Sequence, residues 1–212
     1  MSNLFEQGIM AQVDSIVAML ETLALDDKVE MLNQIRTRLH ESSPFKDEPV
    51  DLVVWVPNDQ VTKNDYNPNT VAPPEMRLLE RSIAEDGYTQ PIVSYPREDD
   101  YEVVDGFHRH RVGKESKTVR NRVHGYLPIT QIRGDRVDLK HRMAATIRHN
   151  RARGVHGVVP MADMVATLIT QGWTDTDIAK ELGMDADEVL RFKQNLGLPK
   201  LFKGHEFSPS WE

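Results

Sequence analysis

Apolar residues open the chain at alternating steps of four and three: Ile9, Val13, Ile16, Leu20 and Leu23. That spacing lines one face of an amphipathic helix. Asp26 or Asp27 is placed to cap a second helix carrying Val29, Leu32, Ile35 and Leu39, which ends near His40. The pair reads as a helical hairpin over residues 1–45. Each stripe must be buried, so the hairpin is expected to pack on the rest of the chain or on a second copy. A polar linker, residues 41–49, follows.

The pattern then changes. Leu52-Val53-Val54-Trp55-Val56 is strand-like, and Asp65-Tyr66-Asn67-Pro68-Asn69 is turn chemistry. A helix is predicted from about Pro74, with Leu78, Leu79 and Ile83 on one side, stopping at Gly87. Pro91–Tyr95 and Tyr101–Val104 read as short strands. Asp105-Gly106 leads into a short helix, and Val119–Tyr126 reads as another strand.

Beyond residue 133 the periodicity is helical again. Leu139–Arg148, Pro160–Gln171, Asp175–Leu182 and Ala186–Leu196 are each expected to form one helix, with a loose tail over 201–212. The last two have helix-turn-helix logic. Thr174 caps the first, Ala179 permits close crossing, Gly183 takes the turn, and Ile178, Leu182, Val189 and Leu190 supply the core. Its second helix opens on Asp185, Asp187 and Glu188, which repel phosphates where recognition helices usually touch bases. Arg191 and Lys193 sit further along, and with Arg148 they are the DNA-contacting candidates.

Composition narrows the function classes. There is no cysteine, which excludes disulfides, thiolate metal sites and cysteine catalysis and makes a cytoplasmic location the default. No apolar run is long enough to span a membrane. The net charge of −7 conceals a segregation: residues 105–160 hold thirteen lysines and arginines against four acids. A basic centre between acidic ends suggests an anion site, for nucleotide or nucleic-acid phosphates. Six of the eight histidines lie there, but no His-x-x-x-His pair occurs and no metal site is assigned.

A strand running into Asp105-Gly106 and then a helix is a recipe for binding anions. The helix start offers unpaired N–H groups and the positive end of its dipole. Gly106 allows close approach to the backbone, and His108 and Arg109 add donors from the first turn.

The order of elements extends that motif. Tyr66-Asn67-Pro68-Asn69, then Asp86-Gly87-Tyr88-Thr89-Gln90-Pro91-Ile92-Val93, then Tyr101–Arg109, and finally Ala145-Thr146-Ile147-Arg148-His149-Asn150-Arg151-Ala152-Arg153 together resemble the ParB/sulfiredoxin superfamily. Over residues 50–200 the likeness is greatest to the IbrB-like group of prophage-associated regulators. The resemblance implies an α+β fold: a ParB/sulfiredoxin-like nucleotide-binding core over residues 50–132, flanked by the N-terminal hairpin and by a helical subdomain with the helix-turn-helix over 133–200. It places Gly106, His108 and Arg109 at nucleotide phosphates, with Asn150, Arg151 and Arg153 from a second segment. Asp105 and His108 match catalytic positions of family members that act as kinases. The implied ligand is a nucleoside triphosphate or diphosphate, ATP or CTP, with Mg2+.

Two departures matter. Phe107 and His149 stand where ParB CTPases carry glutamates, which weakens a ParB-like magnesium site. Phe107 also stands where sulfiredoxin carries its reactive cysteine, so that activity is excluded. Three readings stay open: a nucleotide-responsive, DNA-associated transcription regulator; a nucleotide-dependent phosphotransferase or NTPase; and an adaptor that binds protein. The IbrB likeness implies a partner related to phosphoadenosine-phosphosulfate reductases, and the hairpin leaves room for a homodimer.

Overall fold

The computed structural model describes residues 2–64, 73–132, 144–146 and 165–195. Helices α1 (Ser2–Leu20) and α2 (Leu25–Glu41) form the N-terminal arm. Ala24, not an aspartate, stands at the N-cap of α2 and gives no side-chain bond, while Asp26 and Asp27 lie in its first turn where they favour the helix dipole. A 3-10 turn (Pro49–Asp51) leads to strand β1 (Val54–Pro57), and β2 (Val61–Thr62) follows. Asp51 secures the linker, accepting from the Ser43 hydroxyl at 3.0 Å and pairing with His40 Nδ1 at 2.6 Å.

Helix α3 (Pro73–Asp86) ends at Gly87, whose φ of 83° only glycine adopts freely. Strands β3 (Ile92–Pro96) and β4 (Tyr101–Asp105) are antiparallel neighbours. Helices α4 (Phe107–Glu115) and α5 (Lys117–Arg122) precede β5 (Tyr126–Gln131). The mixed sheet runs β1-β5-β3-β4-β2, with β3/β5 and β2/β4 parallel and the other two pairs antiparallel.

Three differences from the sequence reading have physical causes. Val119–Tyr126 is not a strand: Ser116 accepts from the Val119 N–H and starts α5, and Val119 is buried with Ile83 and Val112. On α3 the inward residues are Met76, Leu79 and Ile83, whereas Leu78 is 69% exposed, about a quarter turn away. The two helices of the arm also differ in partner. Helix α2 lies on the sheet edge, where the Asn33 amide donates to the Trp55 carbonyl at 2.6 Å and accepts from the Trp55 N–H at 3.0 Å. This occupies backbone groups that an open edge strand would leave for another chain. Along α1 only Leu20 is buried.

The sheet core is Val56, Val61, Ile92, Val103, Leu127 and Ile129. A second cluster joins Ala144, Val165 and Leu168 to the paired helices α6 (Asp175–Leu182) and α7 (Ala186–Asn195). Thr174 and Asp177 form a reciprocal capping box at the start of α6, and Gly183, at φ 62°, closes it. Leu190 is a correction: it is 48% exposed, and Phe192 fills the core beside Val189 instead. Residues 133–143 and 147–164, which include Arg148, Asn150, Arg151 and Arg153, lie outside the described residues, as do the predicted turn at 65–69 and the tail.

Candidate functional site

Strand β4 carries Asp105 to the mouth of helix α4. Val103 and Val104 are buried in the sheet, so the strand is anchored before its polar end. Gly106 then turns the chain with φ 90° and ψ 24° and stands at the N-cap of α4 with no side-chain cap. The first helical bond is from the His110 N–H to the Gly106 carbonyl at 2.9 Å. The amides of residues 107–109 therefore have no intrahelical acceptor, which makes this end of α4 receptive to an anion.

Arg109 lies across this glycine. A Cβ built on Gly106 would sit 2.9 Å from Arg109 Nη2 and 3.1 Å from its Nε. The guanidinium donates to Gln90 Oε1 at 2.5 Å and lies 3.6 Å from Asp105 Oδ2. The side chains of Arg109 and Asp105 are only 15% and 5% exposed. Glycine is thus favoured here by the positive φ, and any Cβ would displace the Arg109 guanidinium that rests on it.

The helix is fixed from two sides. Tyr88 donates its hydroxyl to the Arg109 carbonyl at 3.0 Å, and burial pushes its pKa up to about 12 despite Arg122 and Arg109 nearby. Gly113 lets Tyr88 approach: a Cβ there would meet the tyrosine oxygen at 2.2 Å and Leu127 at 2.3 Å. On the other side His110 donates from Nε2 to the Val61 carbonyl at 3.0 Å. Burial, the largest cause, holds the His110 pKa below the usual histidine value although this bond opposes it. His110 is a structural residue that ties α4 to β2.

His108 is different. Both ring nitrogens are buried and have no hydrogen-bond partner among the described residues, and the ring meets Phe107 edge-on at 5.5 Å. Burial first, and Arg111 second, push its pKa down. It is a neutral imidazole next to the anion-receptive helix end, with polar capacity left over. Phe107 is half-buried and packs against the sheet core.

Thr146, at the start of the second predicted segment, reaches strand β4. The Thr146 hydroxyl donates to the Val104 carbonyl at 2.8 Å, one residue before Asp105. Asn64 donates to the Val103 carbonyl at 2.6 Å. Sequence reasoning gave no role to Gln90, Thr146 or Asn64. The first two stood within quoted motifs, but only their three-dimensional partners reveal what they hold.

Among the cations outside this site, one group follows the motif and another lies on the helix-turn-helix. Arg111, Lys114, Lys117, Arg120 and Arg122 are exposed on α4 and α5. Arg111 pairs with Glu115 at 2.9 Å, and Arg122 donates to the Ala84 carbonyl at 2.6 Å. On α7 Arg191 is exposed, whereas Lys193 forms an ion pair with Asp175 of α6. Asp185 accepts from the Glu188 N–H at 2.6 Å at the start of α7. Among the described residues no group of three or more histidine and carboxylate side chains is placed to hold a metal ion. Nor is any helix among them long and apolar enough to cross a membrane.

Comparison with known proteins agrees with this architecture. Residues 43–131 match the family described as ParB N-terminal domain, and residues 156–204 match the IbrB-like C-terminal HTH domain. The uncharacterized protein YbdM of Escherichia coli K12 is 52% identical over 193 residues, covering 91% of each chain. Two solved structures are of the C-terminally truncated chromosome-partitioning protein ParB from Caulobacter crescentus. In complex with CTP-γ-S it is 24% identical over 69% of this chain and 79% of that one, with a TM-score of 0.39. In complex with the centromeric parS site it is 21% identical over 68% and 72%, with a TM-score of 0.46. A mixed sheet leading through Asp105-Gly106 into α4, followed by a capped helix pair, and the two family matches along the same chain make this protein a member of the ParB-like superfamily, with a ParB N-terminal domain and an IbrB-like C-terminal helix-turn-helix.

Proposed function

We propose that the chain is a nucleotide-responsive, DNA-associated regulator whose nucleotide phosphates sit at the start of α4. The carrying observation is the Thr146–Val104 hydrogen bond, which brings the start of the second segment beside Asp105-Gly106. Gly106 leaves the backbone open, and the first-turn amides, His108 and Arg109 supply donors and charge. Asn150, Arg151 and Arg153, four to seven residues beyond Thr146, complete the phosphate ligands in this reading. A nucleotide would compete with Asp105 and Gln90 for the Arg109 guanidinium, so binding and rearrangement of this triad go together. ATP or CTP is the ligand class, and Mg2+ would be carried mainly on the phosphates.

One observation favours a second reading, a nucleotide-dependent phosphotransferase. His108 is half-buried and neutral, its two ring nitrogens are enclosed with no hydrogen-bond partner among the described residues, and Asp105 ends the neighbouring strand. Those two groups would then be the polar catalytic pair. Calorimetric titration with CTP, ATP and ADP, with and without magnesium, coupled to a product assay, separates the readings. Saturable binding without turnover supports the regulator, and turnover supports the phosphotransferase. Failure of all three nucleotides to bind overturns both.

A further inference from the structure

Helix α1 is nineteen residues long and nearly all of it faces solvent. Phe5 is 73% exposed, and Ile9, Val13 and Ile16 are exposed along one face, flanked by exposed Val17 and Met19. A surface helix normally lays such a stripe on its own core. Here α2 is engaged with the edge of β1 through Asn33, and among the described side chains of α1 Leu20 is the one that is buried. Nor can local interactions hold it. It contains Gly8 and four β-branched residues on or beside the stripe, and its two charged residues, Glu6 and Asp14, are both acidic. An isolated helix of this length and composition is marginal in water, so its stability must come from a surface it packs on.

We propose that this surface is α1 of a second copy, so that the chain forms a two-fold dimer through its N-terminal helices. The spacing fits: Ile9, Val13, Ile16 and Leu20 follow the four-three rhythm with which helices interlock. The area fits as well. Burying about half of the exposed apolar side chains of α1 removes on the order of 500 Å2 per copy, so two copies reach about 1,000 Å2, where specific interfaces begin. The chemistry excludes an anionic lipid surface, because α1 has no lysine or arginine to meet it. It equally excludes nucleic acid. A two-fold pairing brings stripe to stripe; Asp14 points away from it and Glu6 lies at its edge near the helix start, so nothing charged stands at the centre around Val13 and Ile16.

This inference is independent of the nucleotide reading. The test is sedimentation of the full chain from about 1 to 100 μM, a range that covers dimers of modest affinity. The wild type is expected to be dimeric at the upper end. Val13→Glu/Ile16→Glu is expected to raise the dissociation constant by more than about 100-fold, because each copy then buries two unpaired charges. Ala11→Glu/Ala18→Glu adds the same charge on the opposite face and is expected to remain a dimer. All three proteins are expected to share one thermal transition for the sheet, since the altered positions are exposed. A wild type that stays monomeric throughout overturns the proposal, including one whose helix is covered only by a different protein. So does a dimer that persists in the stripe variant, or one lost equally in both variants.

Discussion

The Thr146 hydroxyl donates to the carbonyl of Val104 at 2.8 Å, across 42 residues of chain. Both groups are buried. A buried carbonyl at the end of a strand must find a donor, and here that donor stands at the start of the segment proposed to bind phosphate. One hydrogen bond therefore holds Thr146 against the strand one residue before Asp105. Thr146→Val removes the donor and keeps the shape. It is expected to cost about 1–3 kcal/mol of stability, the penalty for an unsatisfied buried carbonyl. It should also weaken nucleotide binding, whereas Thr146→Ser should retain both. Urea denaturation with nucleotide titration of the two variants checks this, and equal behaviour of valine and serine would refute it.

Arg109→Ala is expected to lower nucleotide affinity roughly 10- to 100-fold, the value of a charge-assisted hydrogen bond of about 1.5–3 kcal/mol. Arg109 also rests over Gly106 and bonds Gln90, so the variant should lose some stability. Arg153→Ala is expected to lose comparable affinity without that structural cost. Calorimetry on both, with thermal melts, distinguishes a ligand from a brace. Unchanged affinity in both would remove the phosphate site.

Gly106→Ala tests the same place from the backbone. Its φ of 90° disfavours any side chain by about 1–2 kcal/mol, and the new methyl would push the Arg109 guanidinium away. Expected is a destabilised protein with weakened nucleotide binding. Wild-type stability and affinity together would show that the turn is not under these constraints.

How legible all this was in the sequence depends on range. The capping box at Thr174 and the turn at Gly183 are local, and both stand where the residue types put them. The start of α4 is local too: glycine after a strand, then a helix. Strand β2 is two residues long, Val61–Thr62, too short to show alternation. The stretch beginning at Val119 contains branched residues that favour strands, but the Ser116 cap and the pocket beneath α3 outweigh that preference. The bonds of Gln90 and Thr146 span 19 and 42 residues, and no pattern of residue types announces them.

Two histidines on α4, the half-buried His108 and the buried His110, make stability depend on pH. Burial lowers the pKa of both His108 and His110 below the unfolded value of about 6.5. Between the native and unfolded values the unfolded chain binds more protons, so stability rises with pH there. The contribution is complete above about pH 6.5 and is lost as the pH falls towards the native values. His110→Gln can keep a donor for the Val61 carbonyl without titrating. Urea midpoints measured from pH 7.5 to 5.5 should fall less steeply for this variant than for the wild type, and parallel curves would contradict the assignment.

DNA affinity is expected to fall steeply with salt and to depend more on the basic centre than on α7. Lys193 is tied to Asp175, and Asp185, Asp187 and Glu188 surround the helix start. Arg148→Ala/Arg151→Ala should therefore weaken binding more than Arg191→Ala/Lys193→Ala in gel shifts at several salt concentrations. A larger loss from the second pair would locate the DNA surface on α7.

CTP hydrolysis should be slow or absent. Phe107 packs against the sheet core, so its position offers no oxygen to a magnesium ion. His149 places an imidazole where ParB CTPases, by resemblance, carry a second carboxylate, and magnesium prefers hard oxygen ligands. Asp105 is the carboxylate at the site, but its side chain is only 5% exposed and lies 3.6 Å from the Arg109 guanidinium. To serve as a ligand or base it must first exchange that cation for the metal or the substrate. A phosphate-release assay with CTP and ATP, with and without DNA and with Asp105→Asn as control, measures this directly. The expected result is a rate near background for CTP in both proteins. Robust CTP turnover that Asp105→Asn abolishes would show that Asp105 does make the exchange, and that it suffices without the two glutamates that ParB CTPases, by resemblance, carry.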